Sequence, residues 1–108
     1  FLMQNSVTLY DIKHEDGNWF SLTAYLSDGE LKLEAHDFCE LAESMFGDSE
    51  HETFYMFDSE NTQKLSQVLE TDNLLEGLQN FFGGQMKDRD FFELCKKNGV
   101  MCTFTSWS

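Results

Sequence analysis

The first third of the chain alternates apolar and polar residues with the period of two that half-buried strands show. This pattern predicts one strand over residues 6–14 and a second over residues 19–26, whose apolar side chains share one face. The dipeptides Asp16-Gly17 and Asp28-Gly29 are turn signals that follow these two strands. A third strand begins at Leu31. We therefore expect a meander of three antiparallel strands.

Residues 37–47 change to a helical period. Asp37 and Glu40 form a capping-box pattern, in which each residue bonds a backbone N–H at the start of a helix. Gly47 suits the left-handed residue that ends a helix. Four apolar residues fall on one stripe of this predicted helix: Phe38, Leu41, Ala42 and Met45. Residues 51–57 return to aromatic and β-branched side chains, which predicts a fourth strand.

Three further helices and a last strand are predicted in the second half. Ser59 is a good N-cap residue, and Asn73 with Glu76 forms a second capping box. The last helix is predicted over residues 88–98, with two lysines near its negative C-terminal end, and residues 100–107 follow as a strand. The predicted order is βββαβαααβ. This is an α+β fold, a largely antiparallel sheet with helices packed on one face.

Length and composition indicate one folded domain. The chain has 108 residues, of which 41% are hydrophobic and 15% are aromatic, which is too apolar for a disordered chain. Because Phe1 and Leu2 precede Met3, we expect residues 1–2 to be left over from expression and residues 3–108 to form a single domain. Neither a signal-peptide pattern nor an apolar run of the ~20 residues that cross a bilayer is evident. A cytoplasmic location is expected.

Negative charge is concentrated in the middle of the chain. Twenty acidic residues against seven basic ones give a net charge of −13, and such a polyanion is repelled by nucleic acid and by anionic membranes, so neither is an expected partner. Residues 28–60 hold eleven of the acids and one base, Lys32. An acidic face that meets a basic protein partner is predicted, with these contacts: Asp37, Glu40, Glu43, Asp48, Glu50, Glu52 and Tyr55. The alternative is a solvated face without a partner.

Candidate catalytic and metal-binding residues are sparse. The three cysteines lack a C-x-x-C pair and are expected to be free and buried. His36 and Cys39, with His14 or His51, could offer zinc a nitrogen and a thiolate, but structural zinc sites usually show a second close pair. A histidine near Cys39 would also be needed for a cysteine nucleophile. We expect no enzymatic activity, no metal site and no cofactor.

Four large aromatic residues are predicted either to lie in the core or to act as interface anchors on the sheet face away from it. They are Trp19, Tyr25, Tyr55 and Trp107. The sequence leaves these two possibilities open.

Several segments together resemble a group of small bacterial proteins. The first of these segments are residues 31–36 after a D-G turn, Asp37 at a predicted helix start, and a G-D-S loop at residues 47–49. An acidic and aromatic strand follows that loop. The last segment runs from Phe92-x-x-Cys95 through N-G to Phe104. In its size and acidity the chain also resembles immunity proteins of bacterial toxin systems, which bind and block a cognate toxin. This resemblance implies a non-enzymatic inhibitor of a basic toxin domain.

Two hypotheses follow for function. The first is an immunity-like binding protein that occludes a basic effector, for example a nuclease, by placing carboxylates where the phosphates of the effector's substrate would bind. It predicts a monomer or a weak homodimer in the absence of the partner. The second is a homo-oligomerising module, in which a sheet face or the edge of a terminal strand pairs with another copy.

Overall fold

Five antiparallel strands form a single sheet in the computed structural model, which describes residues 5–15, 17–39 and 49–107. The strands lie in the sheet in their order along the chain. They are β1 (Asn5–Lys13), β2 (Trp19–Ser27), β3 (Glu30–Cys39), β4 (Ser49–Phe57) and β5 (Thr103–Trp107). The predicted α+β class and antiparallel sheet are thereby confirmed.

Three helices follow β4 and lead back to β5. They are α1 (Ser59–Val68), α2 (Leu74–Phe82) and α3 (Asp88–Lys97). Asn73 caps α2 as predicted, with its side chain accepting the N–H of Glu76 at 3.2 Å. For α1 the cap is Asp58, one residue before the predicted Ser59. None of the helices in the described residues has the length and hydropathy needed to cross a bilayer.

The start of the predicted helix at residue 37 is wrong. β3 continues through Cys39, and Asp37 pairs with Phe20 of β2 on one side and with His51 of β4 on the other. Because β3 is paired with a strand on each side, the backbone N–H and C=O groups near Asp37 have hydrogen-bond partners in the sheet. The capping-box pattern therefore does not start a helix there. Residues 40–48, on which the rest of that helix was predicted, lie outside the described residues. The described elements follow the order ββββαααβ.

The helices cover one face of the sheet and enclose the core against it. In β2 and β3 the predicted alternation holds, with these side chains essentially inaccessible: Leu22, Ala24, Leu31 and Leu33. In β1 the adjacent residues Leu9 and Tyr10 are both buried, because the β1–β2 ladder shifts register between Thr8 and Tyr10. The helices contribute an aromatic cluster in which the rings of Phe82 and Phe91 lie 5.5 Å apart.

A partly buried polar contact joins α3 to the first strand. The hydroxyl of Tyr10 donates to Oδ2 of Asp88 at 2.9 Å. Burial, and then this bond to a carboxylate, raise the pKa of Tyr10 well above its ordinary value, so the phenol stays protonated and can donate. The contact fixes the first residue of α3 above β1.

The opposite face of the sheet has no buried side chain among the described residues. Trp19, Tyr25 and Phe54 are half-buried there, while Lys32 and Glu52 are exposed. Cross-strand pairing places Tyr25 opposite Lys32, and Lys32 opposite Met56. Large aromatic side chains therefore lie among charged ones on a surface that the described helices leave open; this surface is called the open face below.

Gly77 of α2 packs closely against the residues before that helix. A Cβ at this position would lie 2.6 Å from Cγ2 of Thr71. Thr71 is held in place because its Oγ1 donates to the carbonyl of Asn73 at 2.8 Å and accepts the N–H of the same residue at 3.1 Å. The absence of a side chain at Gly77 is therefore a packing requirement.

We predict that Gly77→Ala lowers the free energy of unfolding by about 1 kcal/mol or more, because overpacking outweighs the gain in helix propensity. Urea denaturation followed by circular dichroism measures the change. Thr71→Ser removes the crowded methyl group and keeps the hydroxyl, so Gly77→Ala should cost less in that background. A Gly77→Ala variant as stable as the parent chain would contradict the packing.

Candidate partner-binding site

A groove of about 810 Å³ lies at one end of the sheet. It is bounded by the turn between β2 and β3, the end of β4, the first turn of α1 and the segment that leads into β5. The lining includes the buried residues Leu31 and Phe57 and, closer to solvent, the side chains of Tyr25, Met56 and Met101. Three lining side chains are carboxylates, those of Asp28, Glu30 and Asp58, and one, that of Lys32, is basic. This acidic, methionine-rich cleft is called the groove below.

The floor of the groove is fixed by the hydroxyl of Thr62, a buried residue of α1. Its Oγ1 accepts the N–H of Leu31 at 3.1 Å and donates to the carbonyl of Asp58 at 2.7 Å. The hydroxyl thus satisfies a backbone donor at the start of β3 and holds the first turn of α1 against it. The turn after β2 and the cap of α1 are thereby kept at a constant separation.

One wall of the groove is built by Asn61. Its Oδ1 accepts the N–H of Met101 at 2.8 Å, and its Nδ2 donates to Oδ1 of Asp58 at 2.9 Å. The backbone N–H of Asn61 and then this side-chain bond lower the pKa of Asp58, because both bonds favour the ionised form. The helix cap is consequently a carboxylate, and Asn61, which bonds it, also orients the segment before β5.

The apolar part of the groove is open to solvent. The side chain of Met101 is 72% exposed and that of Met56 is 43% exposed. Lys32 lies between two rings, with its Nζ 5.2 Å from the centroid of Tyr25 and 5.5 Å from that of Phe54. Flexible methionines beside a tyrosine form a surface that adapts to different side chains.

Of the residues predicted from sequence to bind the partner, those whose side chains the structure describes lie on two faces of the sheet. Asp37 is half-buried on the helix-covered face, and Tyr55 shares that face, opposite Leu33. Glu52 is exposed on the open face, opposite His36. The described members therefore do not form one continuous patch. The backbone of Glu50 lies in β4, its side chain is outside the described part, and the remaining three lie outside the described residues: Glu40, Glu43 and Asp48.

Among the four aromatic residues, two lie on the open face. These are Trp19 and Tyr25, both half-buried. Tyr55 instead packs under α3, with its ring 4.7 Å from that of Phe92, and burial raises its pKa. The side chain of Trp107 is outside the described part. Of the three members whose side chains are described, Tyr25 lines the groove.

Cys95 and Cys102 pack in or against the core, and His14 and His36 pack against aromatic rings. Cys95 is buried, and burial, with a smaller effect of Cys102, raises its pKa to about 12. The ring of His36 lies 5.2 Å from that of Trp19, and the ring of His14 lies 5.6 Å from that of Phe20. Within the described ranges, no group of three or more His, Cys, Asp or Glu residues is arranged to hold a metal ion. The side chain of Cys39 is outside those ranges.

No protein-family model, no curated protein and no solved structure matches this chain. The likeness to immunity proteins therefore stays a hypothesis. Geometry alone defines a surface cleft in which carboxylates surround adaptable apolar side chains.

We predict that Thr62→Val lowers the free energy of unfolding by about 1–3 kcal/mol, because the buried N–H of Leu31 loses its acceptor while the side-chain shape is kept. Urea denaturation measures the loss, and hydrogen exchange at the Leu31 amide should become faster. Thr62→Ser retains the hydroxyl and is the matched control, with a smaller expected loss. Equal stability of the valine variant and the parent chain would refute the role of this hydroxyl.

Proposed function

We propose that this chain is a non-enzymatic binding protein of the immunity type, which blocks a basic effector by taking one of its segments into the groove. The observation that supports this proposal is the combination of three carboxylates with exposed methionines in one cleft of about 810 Å³. Apolar and aromatic anchors supply much of the affinity of protein complexes, while complementary charge supplies specificity and speed of association.

An arginine of the partner fits the lining of the groove. Its aliphatic stem can lie on Met56, Met101 and the ring of Tyr25, since long basic side chains bury their stems on apolar surface. Its guanidinium then reaches the rim, where Asp28 and Glu30 offer carboxylate oxygens for paired hydrogen bonds. A lysine would make fewer such bonds, so a segment rich in arginine is the preferred occupant.

The acidic residues outside the groove act over a longer range. A net charge of −13 attracts a basic partner before contact, and steering of this kind raises association rates up to ~10³-fold at low salt. In this proposal Asp37, Glu50 and Glu52 contribute through the electric field, together with Glu40, Glu43 and Asp48. Contact and steering are therefore assigned to different residues.

The experiment begins with affinity capture from the cell extract of the source organism, at low and at high salt. A basic protein that is retained at low salt and depleted at high salt becomes the purified partner for kinetic measurements. Surface plasmon resonance at several salt concentrations then gives the association and dissociation rates separately. Capture of the bait alone under both conditions would argue against the proposal.

We predict that Glu30→Lys weakens binding of that partner by about tenfold or more, because a charge within the contact is reversed. Glu93→Lys is the matched control: it changes the net charge equally, but Glu93 is exposed on α3, outside the groove lining. The control should slow association slightly and leave dissociation unchanged. Equal effects of the two variants would mean that only the total charge matters. The proposal that the partner binds in the groove would then be contradicted.

We also predict that Met101→Ala speeds dissociation of the partner and changes association little, because the methionine acts only once contact is made. Its high exposure means that the free protein should keep its stability, which thermal unfolding checks. Partner dissociation that is unaffected by Met101→Ala would show that the apolar part of the groove is unused.

A further inference from the structure

The two outer strands of the sheet differ in how they discourage pairing with other chains. β1 carries the exposed charges of Asp11 and Lys13, and its ladder has a bulge between Thr8 and Tyr10. Charges and bulges are features that protect an edge strand. β5 has neither: residues 103–107 are uncharged, and their ladder with β4 is regular. Within the described residues, the sheet therefore has one protected edge and one unprotected edge.

The side chains of β5 are open to solvent as well. Thr103, Thr105 and Ser106 are exposed, and Phe104 is 68% exposed. In the part of the chain that the structure describes, no strand lies on the outer side of β5. An exposed aromatic residue in a regular, uncharged edge strand is a typical template for addition of another strand.

We infer that β5 pairs with β5 of a second copy of this chain, in antiparallel orientation about a two-fold axis at Thr105. This symmetry places Thr105 opposite its own equivalent and Phe104 opposite Ser106 of the second copy. Threonine pairs are favourable across antiparallel strands. Phe104 lies 6.3 Å from Tyr55, ring to ring, and the two Phe104 side chains would be diagonal neighbours on the same face of the new strand pair.

The lack of charged residues within β5 favours a second copy over a strand of the basic partner. A basic segment is attracted to carboxylates, and β5 has none, whereas self-pairing brings one uncharged strand against another. Among the described side chains of β5, this surface shares only Thr103 with the lining of the groove. This inference therefore does not depend on the proposed function.

Salt should act on this dimer in the opposite sense to its action on the complex with a basic partner. Each copy carries a net charge of −13, so the copies repel each other at low salt. Raising the salt from about 0.1 M to about 1 M shortens the Debye length from about 10 Å to about 3 Å and weakens this repulsion. Self-association should become tighter with salt, while binding of the basic partner becomes weaker.

Sedimentation equilibrium of the purified chain, at several protein concentrations and both salt concentrations, tests the dimer. Thr105→Lys and Thr105→Glu should each raise the dimer dissociation constant about fivefold or more, because like charges then meet at the axis. An equimolar mixture of the two variants should form dimers again, since unlike charges now face each other. Thr8→Lys, at an exposed position of the other outer strand, should leave the dissociation constant unchanged.

Circular dichroism of each variant shows whether it is folded, and recovery in the mixture cannot come from misfolded chains. A monomer at every concentration and both salt concentrations would overturn the inference. A dimer that resists both Thr105 variants would overturn it too. The chain could also prove to be a monomer whose complex with the basic partner is weakened by Thr105→Lys. In that case β5 would pair with a strand of that partner instead. Glu30→Lys should leave the dimer intact, so each proposal can fail without the other.

Discussion

The buried hydroxyl of Thr62 fixes the position at which the helical layer meets the sheet. It bonds the N–H of Leu31 and the carbonyl of Asp58, and these two residues belong to the start of β3 and the cap of α1. The groove lies directly above this junction. Its opening is therefore set by one short hydrogen-bonded connection, with Asn61 extending the same connection to Met101.

The turn between β2 and β3 supplies the other rim of the groove. Asp28 and Gly29 have positive φ values of 53° and 77°, which match the two central residues of the hairpin turns that suit twisted strands. Aspartate tolerates this conformation better than most residues do. The turn chemistry thus also places a carboxylate at the rim, so that one residue contributes both to hairpin geometry and to the negative field of the groove.

Local rules predicted the fold where a single signal decided the outcome. The alternation around Leu22 and Leu33 and the cap at Asn73 were recognisable because the neighbouring residues supported the same structure. The helix prediction at Asp37 was wrong because the capping pattern competed with pairing to β2 and β4. Strand partners that are distant in the sequence cannot be recognised from a local pattern. The same limitation hid the groove: Met101 was predicted to lie inside a strand, whereas its backbone N–H bonds the side chain of Asn61, forty positions earlier.

The strong acidity of the chain is compatible with the sheet because of the register of its strands. In the described ladders no two acidic residues are directly opposite each other: Asp37 pairs with His51, Glu52 with His36, and Glu34 with Thr23 and Phe54. Like charges in direct opposition would destabilise the pairing. Since the ladders avoid that arrangement, the negative charge is distributed over the surface without weakening individual strand pairs. In the proposed function this charge acts at a distance on a basic molecule, while short-range contacts at the groove, and at β5 in the proposed dimer, would determine which surface binds.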